Sequence, residues 1–469
     1  MKIAIIGGGI AGLSAAWELE KRRRAGLQVE YRVFERNAEL GGVIRTRRLS
    51  DGSLFEEGPD SFLTEKPWAA DLCRELGLAD ELIGSNDAAR RTFILLRDRL
   101  RPLPDGLQFF VPTRILPVAG SALFSFRTKL RFAREYVAPP APLGGGDESV
   151  AAFVARHFGH EVVETLADPL LGGIYGGSAD QLSVRAVLPR MVTMESQSGS
   201  LIRAMLRARR NLRTPPGRPL FTALRRGMQQ MTDALAAQLN ASWVHRGVAV
   251  SSVGRDGENW LVGAASGPQS FDAIIMAVPA WASANLLRSV SPGLSAGLAS
   301  IPYSSSAIVN LAFDAARIGQ SPEGFGFLVP RSEGRAMLAC TFVQNKFPHR
   351  AAPGMALYRC FFAAPEDEGR LLGMNDSELT ATALGELREI AGVKAPPCSV
   401  HVTRWERAMA QYAPGHLETV TEIERLRVQC KGLGLAGNFL QGIGVPDCVR
   451  TGAQAALALA GSPQPASGV

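Results

Sequence analysis

Lys2-Ile3-Ala4-Ile5-Ile6-Gly7-Gly8-Gly9-Ile10-Ala11-Gly12 is the stretch whose reading decides the fold. Lys2–Ile6 is short, apolar and rich in β-branched residues, as a strand buried on both faces of a parallel sheet must be. The glycines follow in G-x-G-x-x-G order. Gly7 permits a tight turn, Gly9 lets backbone approach a pyrophosphate, and Gly12 lets strand and helix pack closely. Leu13–Lys21 continues with Leu13, Ala16, Trp17 and Glu20 at helical spacing, so a helix start is aimed at the phosphates with its positive dipole end. Glu30–Phe34 reads as a second strand ending at Glu35-Arg36. A carboxylate at that place accepts hydrogen bonds from ribose hydroxyls and repels a 2′-phosphate. The opening is thus a nucleotide-binding βαβ unit in an α/β chain.

Around this unit, 469 residues leave room for about two to four domains. Apolar residues make 46% and charged residues 20%, which excludes a disordered, collagen-like or disulfide-stapled chain. The net charge is +7, and 44 of the 51 basic residues are Arg. Two explanations stand: genome composition, or a preference for carboxylates and phosphates, which the planar guanidinium grips with two prongs. The basic residues are dispersed and no recognition motif accompanies them, so nucleic acid is not the expected partner. The six cysteines form no C-x-x-C pair, and His157 and His160 have no third ligand nearby, so no metal or redox dithiol is expected. The opening lacks a signal-peptide pattern and no run of about 18 apolar residues exists. The expected location is the cytoplasm.

Further along, Phe93–Leu96 and Arg99–Leu103 read as a hairpin. The segment Phe109, Phe110, Arg114, Phe124, Phe126, Arg127, Lys129, Arg131, Phe132 and Arg134 mixes aromatic and basic residues, a composition suited to an acidic membrane surface, an anion pocket or an ordinary amphipathic helix. Pro139–Gly146 reads as a loop, Ser149–Leu166 as one helix, Gly172–Gly177 as a turn-rich stretch, residues 200–210 as a basic helix and Thr214–Pro219 as a linker. Phe271–Val278 reads as a single apolar strand returning to the nucleotide sheet. Val309–Phe313, Ala336–Phe342 and Met355–Phe362 suggest a second, largely antiparallel sheet. Near the far end, the strand Leu433–Ala436, the loop Gly437–Gly444 and the helix Val445–Leu459 rebuild an anion-favouring helix start.

Leu40-Gly41-Gly42-Val43-Ile44-Arg45 resembles the Gly-Gly doublet of the glutathione-reductase-like FAD proteins. Over nearly its whole length the chain resembles the FAD-class, oxygen-dependent porphyrinogen oxidases of haem synthesis, within the flavin amine oxidase-like group. The resemblance is carried by Gly7–Gly12, Glu57–Phe62, Gly173-Ile174-Tyr175-Gly176-Gly177, Gly324–Pro330, Gln411-Tyr412-Ala413-Pro414-Gly415-His416 and Leu435 through Cys448. It implies a glutathione-reductase-like Rossmann FAD domain (1–90, 215–285 and 415–469), a mixed-sheet substrate domain (91–110 and 286–414) and a helical domain (111–214) that family members use at times for membrane contact. Non-covalent FAD would be held by Gly7, Gly9, Ile10, Ala11, Gly12, Glu35, Arg36, Gly42, Arg45, Gly58, Pro59, Asp60, Ser61, Val250, Asn438, Ile443, Gly444 and Val445. Substrate would meet Arg91, Arg101, Gly173, Leu328 and Cys360; Arg45 is also a candidate propionate partner.

The activity implied is a six-electron oxidation of a porphyrinogen to a porphyrin, with O2 as acceptor and H2O2 released. No catalytic acid or base is named, because the flavin carries the chemistry. Thr92 stands where protoporphyrinogen oxidases often carry an Arg, and Arg91 is one place off, which in a strand means the opposite face. The 103–113 stretch looks more like the coproporphyrinogen branch, so coproporphyrinogen III is placed first and protoporphyrinogen IX second. Rival readings are a flavin amine oxidase, with Trp405 and Tyr412 as its aromatic pair, a carotenoid-type desaturase, and a non-catalytic flavin-binding carrier of a haem intermediate. A monomer or homodimer is expected, with contacts to the inner membrane face and to neighbouring haem-pathway enzymes.

Overall fold

The computed structural model describes residues 1–139, 146–211, 218–319, 322–363 and 368–461. Most of the Pro139–Gly146 loop and the Thr214–Pro219 linker lies outside these residues.

Two sheets organise the chain. The first is parallel and five-stranded, in the order Val244–Arg246, Glu30–Glu35, Lys2–Ile6, Ala273–Met276 and Leu433–Leu435. Ile3, Ala4 and Ile5 are fully buried in its centre, which is why this strand has no polar face. The opening helix Ile10–Arg24 lies against the closing helix Val445–Ala460. Their approach is set by Gly452, where a Cβ would stand 2.1 Å from the Ala11 carbonyl oxygen. Gly7 has φ +108°, and a Cβ on Gly12 would meet the Gly7 oxygen at 1.9 Å. Any side chain at either place would force the turn open.

The second sheet has seven strands, in the order Ser399–Ala410, Tyr303–Asp314, Met355–Phe362, Ala339–Phe342, Gly326–Leu328, Thr92–Leu96 and Arg99–Pro102. All neighbours are antiparallel except Gly326–Leu328 with Thr92–Leu96. One face is covered by the helix Asp376–Ala391 through Leu379, Ala383 and Leu387, packed on Val309, Phe327 and Cys360. The other face carries Ile94 and Leu328, which join a core shared with the helices of residues 150–175.

Helices occupy most of residues 115–211. Here the buried His157 ring sits between two carboxylates, with Nδ1 3.2 Å from Glu135 and Nε2 3.0 Å from Glu195. Two expectations need correction. The single helix over Ser149–Leu166 is broken at Gly159, whose φ of +94° cannot continue a helix; Val150–Phe158 stops there, and the chain restarts at His160. Gly172 and Gly173 are not in a turn but inside the helix Asp168–Tyr175. A Cβ on Gly173 would lie 3.6 Å from Leu328 Cδ2, an ordinary contact, so the helix forms despite the cost of glycine, about 1 kcal/mol per residue. Phe271–Val278 is likewise two strands, divided at Asp272, whose carboxylate accepts from the Lys2 backbone N–H at 2.6 Å.

Candidate active site

The glycine loop and the Gly41-Gly42 doublet meet directly. Gly41 N–H donates to the Gly8 carbonyl at 2.8 Å, and a Cβ on Gly42 would stand 3.2 Å from the Gly9 Cα. The opening helix begins at Gly9 with no capping side chain and no acid in its first turn, so the N–H groups of Ile10, Ala11 and Gly12 are available to an outside acceptor. Glu35 is buried and accepts from Gly8 N–H at 2.7 Å and Asn37 N–H at 2.8 Å. A carboxylate has about four acceptor positions, leaving two for ribose hydroxyls. Arg36 follows it, exposed. Val250 opens a strand two residues beyond Val248, whose N–H donates to the Glu35 carbonyl at 2.8 Å. Arg45 lies 5.4 Å over the Trp405 ring, and its Nε makes no hydrogen bond, its ion-pair partner Glu39 standing 3.9 Å away. A cationic N–H with no hydrogen bond of its own and an uncapped helix start both suit a pyrophosphate cofactor. The closing helix offers a second uncapped start at Gly444, preceded by Ile443 and followed by Val445.

Gly58-Pro59-Asp60-Ser61 is bolted to the second sheet by cations that sequence reasoning missed. Lys346 Nζ donates to Asp60 at 2.9 Å and to Ser61 Oγ at 3.2 Å. Arg359 donates to the Gly58 carbonyl and stands 3.9 Å from Asp60. The fully buried Arg350 pairs with Glu56, which also accepts from Thr46 Oγ1 at 2.7 Å and Met228 N–H at 2.8 Å. Burial alone would raise the Asp60 pKa, but Lys346 and Arg359 outweigh it and hold the carboxyl below its ordinary range. At Glu56 burial wins and the pKa is raised, only partly offset by Arg350. These cations lie some 285 to 300 residues from the segment they hold, and no local pattern announces them. Trp405 donates to the Glu57 carbonyl at 2.6 Å while Tyr412 stacks on His416, so the Tyr412 face of the rival aromatic pair is covered by an imidazole.

Strand register places the residues expected to meet substrate. Arg101 pairs with Ile94 and Ile94 with Leu328, so the three share one face, that turned toward Gly173. Arg359 and Asn310 lie on the same face through the pairs Gly326–Thr341, Thr341–Arg359 and Asn310–Arg359. A continuous surface therefore runs from Arg101 past Leu328 to the 56–61 segment. Arg91 precedes the strand and is exposed. Cys360 is not brought to this face. It pairs with Cys340 on the opposite one, Sγ to Sγ 3.9 Å, beneath the helix Asp376–Ala391.

The profile of flavin containing amine oxidoreductases matches residues 10–460. The chain belongs to the flavin-containing amine oxidoreductase family. It is 33% identical to the coproporphyrinogen III oxidase of Bacillus subtilis over 457 residues, 96% of each chain. It is 34% identical to that of Propionibacterium freudenreichii, covering 95% of this chain and 88% of the relative. The crystal structure of an Exiguobacterium protein provisionally assigned as a protoporphyrinogen oxidase superposes with a TM-score of 0.88 at 27% identity, over 98% of both chains. Within its family the chain groups with these porphyrinogen oxidases, and it is an FAD-dependent oxidoreductase. No helix among the described residues is long and apolar enough to cross a membrane.

Proposed function

We propose that the protein oxidises coproporphyrinogen III to coproporphyrin III, with protoporphyrinogen IX as the second choice. Six electrons and six protons leave the porphyrinogen, and three O2 take them up as three H2O2. The observation that carries the reading is the likeness, over 96% of both chains, to a relative named for coproporphyrinogen III. FAD, when bound, supplies the hydride acceptor. The chain's own task is to bind, orient and keep water out. We assign the cofactor to residues 1–90, 215–285 and 415–469, held non-covalently by the two uncapped helix starts, Glu35, Arg45, the 58–61 segment, Val250 and Asn438. The substrate is assigned to residues 91–110 and 286–414, on the Arg101–Leu328 face opposite Gly173, with Arg91, Arg101 and Arg45 as propionate partners.

The deciding assay follows porphyrin fluorescence with coproporphyrinogen III and protoporphyrinogen IX side by side. Faster turnover of the first, with Arg101→Ala raising its KM, is the expected result. Flavin bleached anaerobically by amines and by neither porphyrinogen would sink the proposal.

Residues 111–214 are assigned to peripheral contact with the inner membrane face. Leu116 and Phe126 are 84% and 80% exposed, and Arg127, Lys129, Arg131 and Arg134 share the Phe126–Tyr136 helix. Exposed apolar side chains among cations suit an anionic interface. Co-sedimentation with phosphatidylglycerol vesicles, lost in Leu116→Asp/Phe126→Asp, is expected; no binding by the wild type overturns it.

A further inference from the structure

The stretch Gln411–His416 singled out in the sequence finds no place in the site as described, yet its side chains reach both sides of it. Tyr412 is buried, and its hydroxyl donates to the Asn438 carbonyl at 2.7 Å. One phenol thus anchors the loop Gly437–Gly444 near its start. The His416 ring lies parallel to the Tyr412 ring, centroids 4.0 Å apart, and its Nε2 is 3.1 Å from the Leu440 carbonyl. A carbonyl only accepts, so Nε2 carries the proton. Two neighbouring side chains therefore end on a three-residue stretch of backbone just ahead of the closing helix.

Gln411 works in the other direction. Its Nε2 donates to the Tyr175 carbonyl at 2.6 Å and to Ser304 Oγ at 2.9 Å. Tyr175 is the last residue of the helix that carries Gly173, and its ring meets Tyr412 edge-on, centroids 6.1 Å apart. A Cβ on Gly177 would strike Gln411 Oε1 at 1.9 Å, so the chain leaving that helix passes directly against the amide. A core that needed only volume here would take Phe and Leu. Tyr, His and Gln are used instead, and the Tyr412 hydroxyl, the His416 Nε2 and the Gln411 Nε2 each end on backbone that borders the site.

We infer that Gln411, Tyr412 and His416 form a two-ended clamp of positioning residues, which fixes the spacing between the Gly173 helix and the loop ahead of the closing helix. The inference rests on the assignment of Asn438 and Ile443–Val445 to the flavin. Its consequence is a division of labour. Tyr412 and His416 set how the cofactor edge is presented, whereas Gln411 sets where the substrate-side helix ends.

The test is amide hydrogen exchange over residues 437–444 in apoprotein with and without FAD, together with the FAD Kd, the flavin absorbance spectrum and steady-state kinetics. In the wild type FAD slows exchange in the loop; if it does not, the flavin assignment fails and the clamp has no function to serve. Where it does, Tyr412→Phe and His416→Leu raise loop exchange in the apoprotein and weaken FAD about two- to tenfold, the worth of one neutral hydrogen bond. They shift the flavin spectrum and lower kcat while KM holds. His416→Gln, which returns an N–H to the Leu440 carbonyl, restores most of the loss. Gln411→Leu raises KM with the flavin spectrum unchanged. Wild-type loop exchange and FAD affinity in Tyr412→Phe and His416→Leu, or a His416→Gln variant as impaired as His416→Leu, would overturn the inference even with FAD protecting the loop.

Discussion

Gly452→Ala adds one methyl group where the opening and closing helices, both assigned to the cofactor, cross. The new carbon would stand 2.1 Å from the Ala11 oxygen, 2.9 Å from its carbonyl carbon and 3.2 Å from its Cα. All three are backbone atoms, so no side chain can swing aside. Contact between non-bonded atoms is comfortable near 3.5 Å, and relief therefore means parting the helices by roughly 1 Å. Two costs follow. Overpacking of this kind destabilises by about 1–3 kcal/mol. The N–H groups of Ile10, Ala11 and Gly12 also shift by about an ångström, which takes a hydrogen bond of about 2.9 Å beyond its working range. A bond to a charged acceptor is worth about 1.5–3 kcal/mol, and each 1.4 kcal/mol is about tenfold in affinity. The FAD Kd should therefore rise about 10- to 100-fold, read by quenching of flavin fluorescence on titrating apoprotein. Gly385→Ala is the matched control: that glycine lies within a helix with open space at its Cβ position, and the change should stabilise by up to about 1 kcal/mol. A Gly452→Ala protein that binds FAD as tightly as the wild type, with an unshifted thermal midpoint, would refute the packing argument.

Arg350→Met should destabilise by about 3–5 kcal/mol, because it leaves the buried Glu56 without its partner; urea denaturation followed by tryptophan fluorescence reads the loss. The His416 pKa is lowered by burial, against the pull of its Leu440 bond. The unfolded chain then holds more protons than the folded one between the depressed pKa and the ordinary value near 6.5. This residue's contribution is complete above about 6.5 and is lost as pH falls through the folded value, so the fall in melting temperature between pH 7 and 5 should be shallower in His416→Gln than in the wild type.

What could be read from the chain alone follows the range of the interactions. The first strand, glycine turn and helix lie within one unbroken stretch whose periodicity states its structure. The second sheet was visible as apolar runs, and its pairing sets Arg101 on the face of Leu328, with Ile94 between them. Cys360 was misplaced because side-chain alternation assigns faces only once the register is known, and register with Ala339–Phe342 is a tertiary fact. The break at Gly159 and the helix through Gly172-Gly173 mark the same limit. Glycine states what the backbone is free to do, and the surrounding fold decides what it does. Lys346, Arg350 and Arg359 were invisible, since a cation next to its partner only in space leaves no spacing to detect.

The parallel sheet also has a consequence for how the protein is made. Its first strand, Lys2–Ile6, is flanked by Glu30–Glu35 and by Ala273–Met276, and the outer strand Leu433–Leu435 arrives last. At synthesis rates of about 5–20 residues per second, roughly 20–90 s separate the first strand from that last one. Once Ala273–Met276 has been made, its outer edge has no neighbour for about 8–31 s at the same rates, and the helix start at Gly444 does not yet exist. The sheet is therefore closed late, and until Leu433–Leu435 arrives the nascent chain carries an open sheet edge, the feature most prone to pair with another chain.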